Sequence, residues 1–378
     1  MSLFARTDNS ALGRWWWTVD RWILAALGVL MILGLLLNMA AGSAVAERIH
    51  LEATYFVKRH FLYLIPTLAL LIGASLLSAH DIRRTAFVLY AGCLVLLVLT
   101  PLVGTEIKGA RRWISFLGFS LQPSEFVKPA LSVLVAWMLA EAKRHPSFPG
   151  YLASFVFYGL VIGLLLLQPD MGQSILITAV YLSQCFLAGL PLYLIGAAVA
   201  LGAAGLVSAY FLFPHVATRM DRFLNTDAGD KFSDRYQITQ SLDAFVSGGL
   251  WGQGPGEGVV KKHLPDAHAD FIFPVAAEEY GLILCVLIVL LYGFVVLRSL
   301  SRVLQDNGLF ALFAVSGLVV QFGLQALINM ASTLSLIPTK GMTLPFISFG
   351  GSSMLALAIG MGFVLGLTRR RGRGEVDL

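Results

Sequence analysis

Charge is scarce in this chain, and the scarcity argues against a water-soluble fold. Only 13% of the 378 residues are Asp, Glu, Lys or Arg, 57% are hydrophobic, and mean hydropathy is +0.77. A soluble core of this size needs far less apolar surface, so the chain reads as a polytopic membrane protein. Cysteine is sparse too. Cys93, Cys185 and Cys285 each lie inside an apolar run, which argues against a disulfide framework and leaves three small buried hydrophobes. No basic helix with interleaved aromatics accompanies the net charge of +5, so a nucleic-acid partner is excluded. The centres of the apolar runs are almost free of ionisable residues, which argues against a transporter whose path crosses the midplane. There is no linker at which to divide the chain, and residues 1–378 are expected to form a single integral membrane domain.

What is present is a series of apolar windows near 22–42, 61–79, 85–103, 123–142, 151–167, 174–190, 191–213, 271–297, 308–330 and 346–368. They predict an all-α fold of about ten transmembrane helices. A cytoplasmic segment 1–21, a large extracytoplasmic loop 214–270 between helices 7 and 8, and a cytoplasmic tail 369–378 complete it. Ala44-Val45-Ala46 resembles a signal-peptidase site, but the run before it is too long for a signal peptide and reads as a retained anchor. Placing both termini inside puts short, basic connections such as HDIRRT and RRRGRG in the cytoplasm, with only 7 of the 22 acids. Trp15, Trp16, Trp17 and Trp22 suit an aromatic belt at that face.

With that orientation the polar chemistry collects outside. In GARRWISFLGFSLQPSEFVKPAL, Pro123 suits a helix start, and Glu125 and Lys128 fall three apart on one helical face, as a structural ion pair or as part of a polar cavity. Arg111, Arg112 and Trp113 read as an interfacial anchor or as a binder of phosphate or carboxylate. Asp170, in LLLLQPDMGQSIL, reads first as a helix N-cap and second as a rim residue of a site. The long loop 214–270 opens with RMDRFLNTDAGDKFSDRYQITQSLDAF, a mixed-charge stretch expected to form an amphipathic surface helix. SGGLWGQGPGEG follows; its glycines suit turns or close approach to a phosphate, although the spacing matches no P-loop or dinucleotide fingerprint. HLPDAHADFIF then places Asp266, His268 and Asp270 just before an apolar helix. Three such groups at i, i+2, i+4 match no tight metal signature. Asp270 suits a cap, and a partly desolvated carboxylate there suits a general base. Finally LIPTKGMTLPFISFGGSSM breaks a span with two prolines, three glycines and Lys340, as backbone lining a cavity does.

Taken in order, GARRWI, QPSEFVK, QPDMG, YQITQSLDAFVSGGLWGQGPGEG, LPDAHADFIF and PTKGMTLPFISFGGSS resemble the SEDS family (shape, elongation, division and sporulation proteins) along nearly the whole chain. PTKGMTLPFIS is similar to the cell-division branch rather than the elongation branch. Phe349 stands where a tyrosine is usual, and Ala269 where a hydroxyl residue often stands. The resemblance implies a ten-helix fold and a glycosyltransferase that polymerises lipid II into peptidoglycan strands. It also implies a class B penicillin-binding protein among its division-complex membrane partners, and a place in the bacterial inner membrane at the septum. It assigns the essential acid to Asp270 and the cavity pair to Glu125 and Lys128; Arg112, His268, Lys340 and Asp170 are expected around them. A magnesium or manganese ion, if one is used, would be held by Asp270. A lipid II flippase is the rival from another class.

Overall fold

A computed structural model describes residues 10–107, 110–116, 119–212, 234–306, 308–338 and 341–369. Lys340, the first part of the large loop, the first nine residues and the tail beyond Arg369 lie outside the described residues. The chain is mostly helical: α1 (Ala11–Thr18), α2 (Arg21–Arg48), α3 (Tyr55–Leu76), α4 (Ala79–Val103), α5 (Pro123–Arg144), α6 (Gly150–Leu167), α7 (Met171–Leu187), α8 (Leu192–Leu212), α9 (Asp234–Gly248), α10 (Ile272–Asp306), α11 (Leu309–Thr333) and α12 (Gly351–Leu367). A helix overlaps each of the ten expected windows. Among the described residues, α2, α3, α4, α6, α10 and α11 are long and apolar enough to cross a membrane; α7 and α12 are apolar with 17 residues each, and α8 is apolar over Leu192–Gly205. Length and apolarity among the described residues thus support at least six crossings, which makes this a multi-pass membrane fold.

The connection 104–122 adds to the all-α expectation a small antiparallel sheet, β1 (Thr105–Ile107), β2 (Ala110–Phe116) and β3 (Phe119–Leu121), in the order β1-β2-β3. Thr105 pairs with Trp113 and Ile114 with Leu121. β-branched and aromatic residues favour such strands, so the fold is helical with a β-meander capping one end.

α5 is the axis of the bundle. It packs against α4, α6, α11 and α12, and Pro123 through Ala136 are all buried. Pro123 occupies the first helical position, where its missing N–H costs nothing. Because α5 is enclosed by other helices rather than lipid, Glu125 and Lys128 can sit within it if they satisfy each other.

α10 is broken at Gly281, whose backbone adopts φ 76°, ψ −177°. The break frees helical N–H and C=O groups, and the glycine-rich loop takes them up. Leu282 N–H donates to Gly249 O at 3.0 Å, while Gln253 and Gly254 N–H donate to Glu278 and Glu279 O at 2.9 and 3.0 Å. Side chains complete the knot: the Glu278 carboxylate accepts Val260 and Lys261 N–H at 2.7 and 2.9 Å, and Glu279 accepts Gly256 N–H and pairs with Lys261. The loop amides therefore serve two buried glutamates of its own helix. A Cβ on Gly281 would lie 2.2 Å from Leu250 O, and one on Gly252 2.2 Å from Glu279 O. Gly281→Ala is expected to cost at least the 1–3 kcal/mol of a left-handed non-glycine residue and to lower the melting temperature sharply in detergent. Leu282→Ala, at an outward-facing neighbour, should melt near wild type.

At the opposite end Asp20 caps α2, accepting Trp22 and Ile23 N–H at 3.0 and 3.2 Å, and it also receives Arg298 Nε at 2.9 Å and Arg302 Nε at 2.6 Å. Burial opposes its charge, but the bonds from Arg298, Ile23 N–H and Arg302 outweigh burial and hold the carboxyl below its usual value. That stabilisation is present above the unfolded carboxylate pKa and is lost as pH falls through the lower, folded one. Asp20→Ala is expected to cost about 1.5–3 kcal/mol at neutral pH, as for hydrogen bonds to charged groups. Melting curves of variant and wild type should converge once the pH drops below the carboxylate range.

Candidate active site

Asp270 lies in the turn that delivers the loop into α10. Asp266 adopts φ 51°, a left-handed conformation that aspartate tolerates better than most residues, and its carbonyl accepts Ala269 N–H at 2.9 Å. Other segments fix this turn by its backbone. Ser348 Oγ donates to Ala269 O at 2.6 Å, Phe349 N–H to His268 O at 2.8 Å, and Asn329 Nδ2 to Asp270 O at 2.9 Å. Gly341 comes close enough that a Cβ there would stand 3.6 Å from Asp270 Oδ2. With α10 starting at Ile272, Asp270 stands one residue further out than the cap position expected for it. Asp270, half-buried, is thus placed by two segments, α11 and residues 341–349, whose hydrogen bonds reach the main chain of the turn.

Glu125 and Lys128 do pair. Lys128 Nζ lies 2.9 Å from Glu125 Oε2 and donates to Gln325 Oε1 at 2.9 Å, and Gln173 Nε2 donates to Glu125 Oε1 at 2.5 Å. Gln325 Nε2 continues to Thr343 O at 3.2 Å, and Thr343 and Ser353 hydroxyls share a bond of 2.7 Å. Four residues beyond Gln325 on α11, Asn329 carries the bond to Asp270 O and a second to Met342 O at 2.7 Å. One face of α11 therefore joins the buried ion pair to the turn that holds Asp270.

Arg112 is on β2, where its Nε and Nη2 donate to Gln168 O at 3.2 Å and Pro169 O at 2.6 Å, with Nη1 3.9 Å from Asp170 Oδ1. It clasps the turn between α6 and α7. Asp170 caps α7 through Gln173 N–H at 3.4 Å, as expected from its position. Burial raises its pKa; Arg112 and the Gln173 N–H pull it back, the Glu125 charge raises it further and Lys128 lowers it, so the carboxyl belongs to the same electrostatic group. Arg111 lies 3.7 Å from Glu106 across the sheet.

His268 is brought to the turn, but as a packing group. Its ring lies 4.1 Å from Phe56 and 5.5 Å from Phe349, and burial lowers its pKa to about 4, with Asp266 opposing and Arg48 reinforcing that shift. It is neutral at pH 7 and supplies no cation. Among the described residues no group of three or more His, Cys, Asp or Glu side chains is arranged to hold a metal ion.

A model of the family described as a cell cycle protein, FtsW/RodA/SpoVE, matches residues 20–372. The chain belongs to the FtsW/RodA/SpoVE family. Among its relatives, the probable peptidoglycan glycosyltransferase FtsW of Caulobacter vibrioides is 48% identical over 97% of this chain and 94% of that one. The FtsW of Coxiella burnetii is 38% identical over 92% and 96%. Of solved structures, a chain from a peptidoglycan synthase complex that coordinates polymerization and crosslinking superposes with TM-score 0.76 at 28% identity, covering 93% of this chain and 97% of that one. The Thermus thermophilus rod shape determining protein RodA superposes with TM-score 0.67 at 27% identity and the same coverage.

In this FtsW/RodA/SpoVE chain several site residues are not among those expected. Gln173, Gln325, Asn329, Thr343 and Ser353 connect the charged groups, and Glu278 with Glu279 secures the loop that ends at Asp270. The signal for the first set is readable: Gln321, Gln325 and Asn329 recur every four residues in an otherwise apolar helix, one polar stripe facing inward.

Proposed function

We propose that this chain is a peptidoglycan glycosyltransferase of the FtsW type that polymerises lipid II, with the end of the bundle holding Asp270 on the extracytoplasmic side at the division septum and both termini cytoplasmic. The observation that carries the reading is the convergence at one end of a half-buried carboxylate and a buried lysine, linked through α11. The reacting bond of lipid II lies where a sugar head meets a polyprenyl tail, so an enzyme for it needs polar groups where apolar helix ends. A base at mid-span would miss the sugar, and a freely solvated carboxylate would hold a proton too weakly.

Asp270 accepts the proton of the acceptor's 4-hydroxyl as that oxygen attacks the donor's anomeric carbon. The bond to polyprenyl pyrophosphate breaks with its electron pair, and the configuration inverts. The pyrophosphate is already a good leaving group and needs no dedicated acid. Lys128 balances its growing charge, and Glu125 holds the lysine in place. Arg112, with its donors on Gln168 and Pro169, sets the rim of the site through the Asp170 turn. Lys340 is a second candidate cation by its place in the sequence. If a divalent ion is used, Asp270 would hold it, and it would supply further neutralisation of the pyrophosphate charge. The transpeptidase partner is a class B penicillin-binding protein.

The flippase reading draws on one feature, the polar stripe that continues from Lys128 past Gln321 and Ser132 to Gln184. Incubating purified protein with lipid II and partner, with and without chelator, separates the two. Glycan ladders on a gel support polymerisation, whereas translocation of lipid II across vesicles without any ladder would overturn it. Loss of the ladder with chelator alone would show that an ion is required.

A further inference from the structure

The end of the bundle opposite Asp270 holds a cavity of about 670 Å³ between the start of α4 and the end of α5, lined among others by His80, Arg83, Arg84, Trp137, Glu141 and Phe148. Neither the catalytic scheme nor the packing of the core accounts for it. We propose that it binds the phosphodiester head group of an anionic phospholipid in the leaflet at that end.

The charge and the shape both point to such an amphiphile. Arg83 is held over the rings of Trp137 and Phe310, with its guanidinium carbon 5.7 and 5.2 Å from their centroids. Aromatic faces on this scale fix a guanidinium without neutralising it. Among the described residues neither Arg83 nor Arg84 has a carboxylate within 4.0 Å; Arg84 is exposed and acts on Asp81 of its own helix only at longer range. A guanidinium pair of this kind can donate bidentate bonds to a phosphodiester. The one acid in the lining, Glu141, lies 3.2 Å from His145 Nε2. Trp137, Met138 and Phe148 give the cavity an apolar wall. One or two turns further along α4 and along the adjoining α6, Phe87 of α4 and Leu152 and Phe155 of α6 are 51%, 64% and 57% exposed. A basic recess above outward-facing apolar side chains suits a phosphate joined to acyl chains better than a free phosphate, and basic pockets between helices at a membrane face take head groups in this way. The inference needs only that the chain sits in a bilayer, so its failure would leave the glycosyltransferase reading untouched.

The full chain, purified in detergent, would be titrated with phosphatidylglycerol or phosphatidylcholine of matched chain length and examined by native mass spectrometry. Wild type should retain phosphatidylglycerol about tenfold more than phosphatidylcholine, a magnitude set by one to two basic residues near a surface. Arg83→Gln with Arg84→Gln should remove the preference. Because Arg83 also packs on two rings, Arg84→Gln alone is the second variant; it should lower the preference several-fold while melting as wild type does. Equal retention of both lipids by wild type, or an unchanged preference in Arg84→Gln and in the double variant, would overturn the proposal. Displacement of phosphatidylglycerol by an equal concentration of glycerol phosphate would also overturn it, since a head group without chains would then suffice.

Discussion

Lys128→Ala is expected to destabilise the protein by about 3–5 kcal/mol, the cost of leaving one partner of a buried ion pair uncompensated. Glu125 and Lys128 are 4% and 2% exposed, so solvent cannot replace the missing charge, and Gln325 Oε1 loses its donor as well. Replacing both partners, Glu125→Gln with Lys128→Met, removes the isolated charge, and the melting temperature should recover most of the loss because a neutral pair of similar volume is often tolerated. Polymerisation should not recover. If Lys128 balances the charge of the departing pyrophosphate, the double variant should remain about 10²–10³-fold slower, as when a single stabilising donor is removed from an active site. A double variant that is stable and polymerises like wild type would make the pair purely structural.

The second large effect is expected at Asp270. Asparagine keeps the shape of the side chain, and the main-chain bonds that place this turn come from Asn329, Ser348 and Phe349 and do not depend on the carboxylate. Asp270→Asn should therefore fold and insert normally while polymerisation falls by about 10²–10⁴-fold, the usual contribution of a general base. Asn329→Ala acts one step further back. It releases both Asp270 O and Met342 O, so it should slow the reaction less than Asp270→Asn while loosening the loop between them.

The helical architecture was legible because a membrane span is a local property: about 20 apolar residues suffice, and each expected window holds a helix. Family membership was legible for the opposite reason, since six polar motifs keep their order between those windows. The sheet was not, because strands of three to seven residues in a segment mixing Arg, Trp and Phe show no clean alternation. The use of the glycine-rich loop was hidden as well. Its amides serve Glu278 and Glu279, which lie some twenty residues further on inside an apolar run, and the kink at Gly281 that requires them leaves no periodic trace. The Glu125–Lys128 pair could be read from its i, i+3 spacing; its extension through Gln325 and Asn329 depends on how α5 and α11 pack. His268 is expected near the essential acid from its place in the motif; its packing against Phe56, with burial lowering its pKa to about 4, depends on α3 and could not be read from the sequence.

The central claim is that the Asp270 carboxylate takes the acceptor's proton. The direct measurement is the rate of lipid II polymerisation by purified wild type and Asp270→Asn, each with its transpeptidase partner and matched for melting temperature. A fall of at least two orders of magnitude at unchanged stability is the predicted result. Glycan strands formed by Asp270→Asn at the wild-type rate would contradict it.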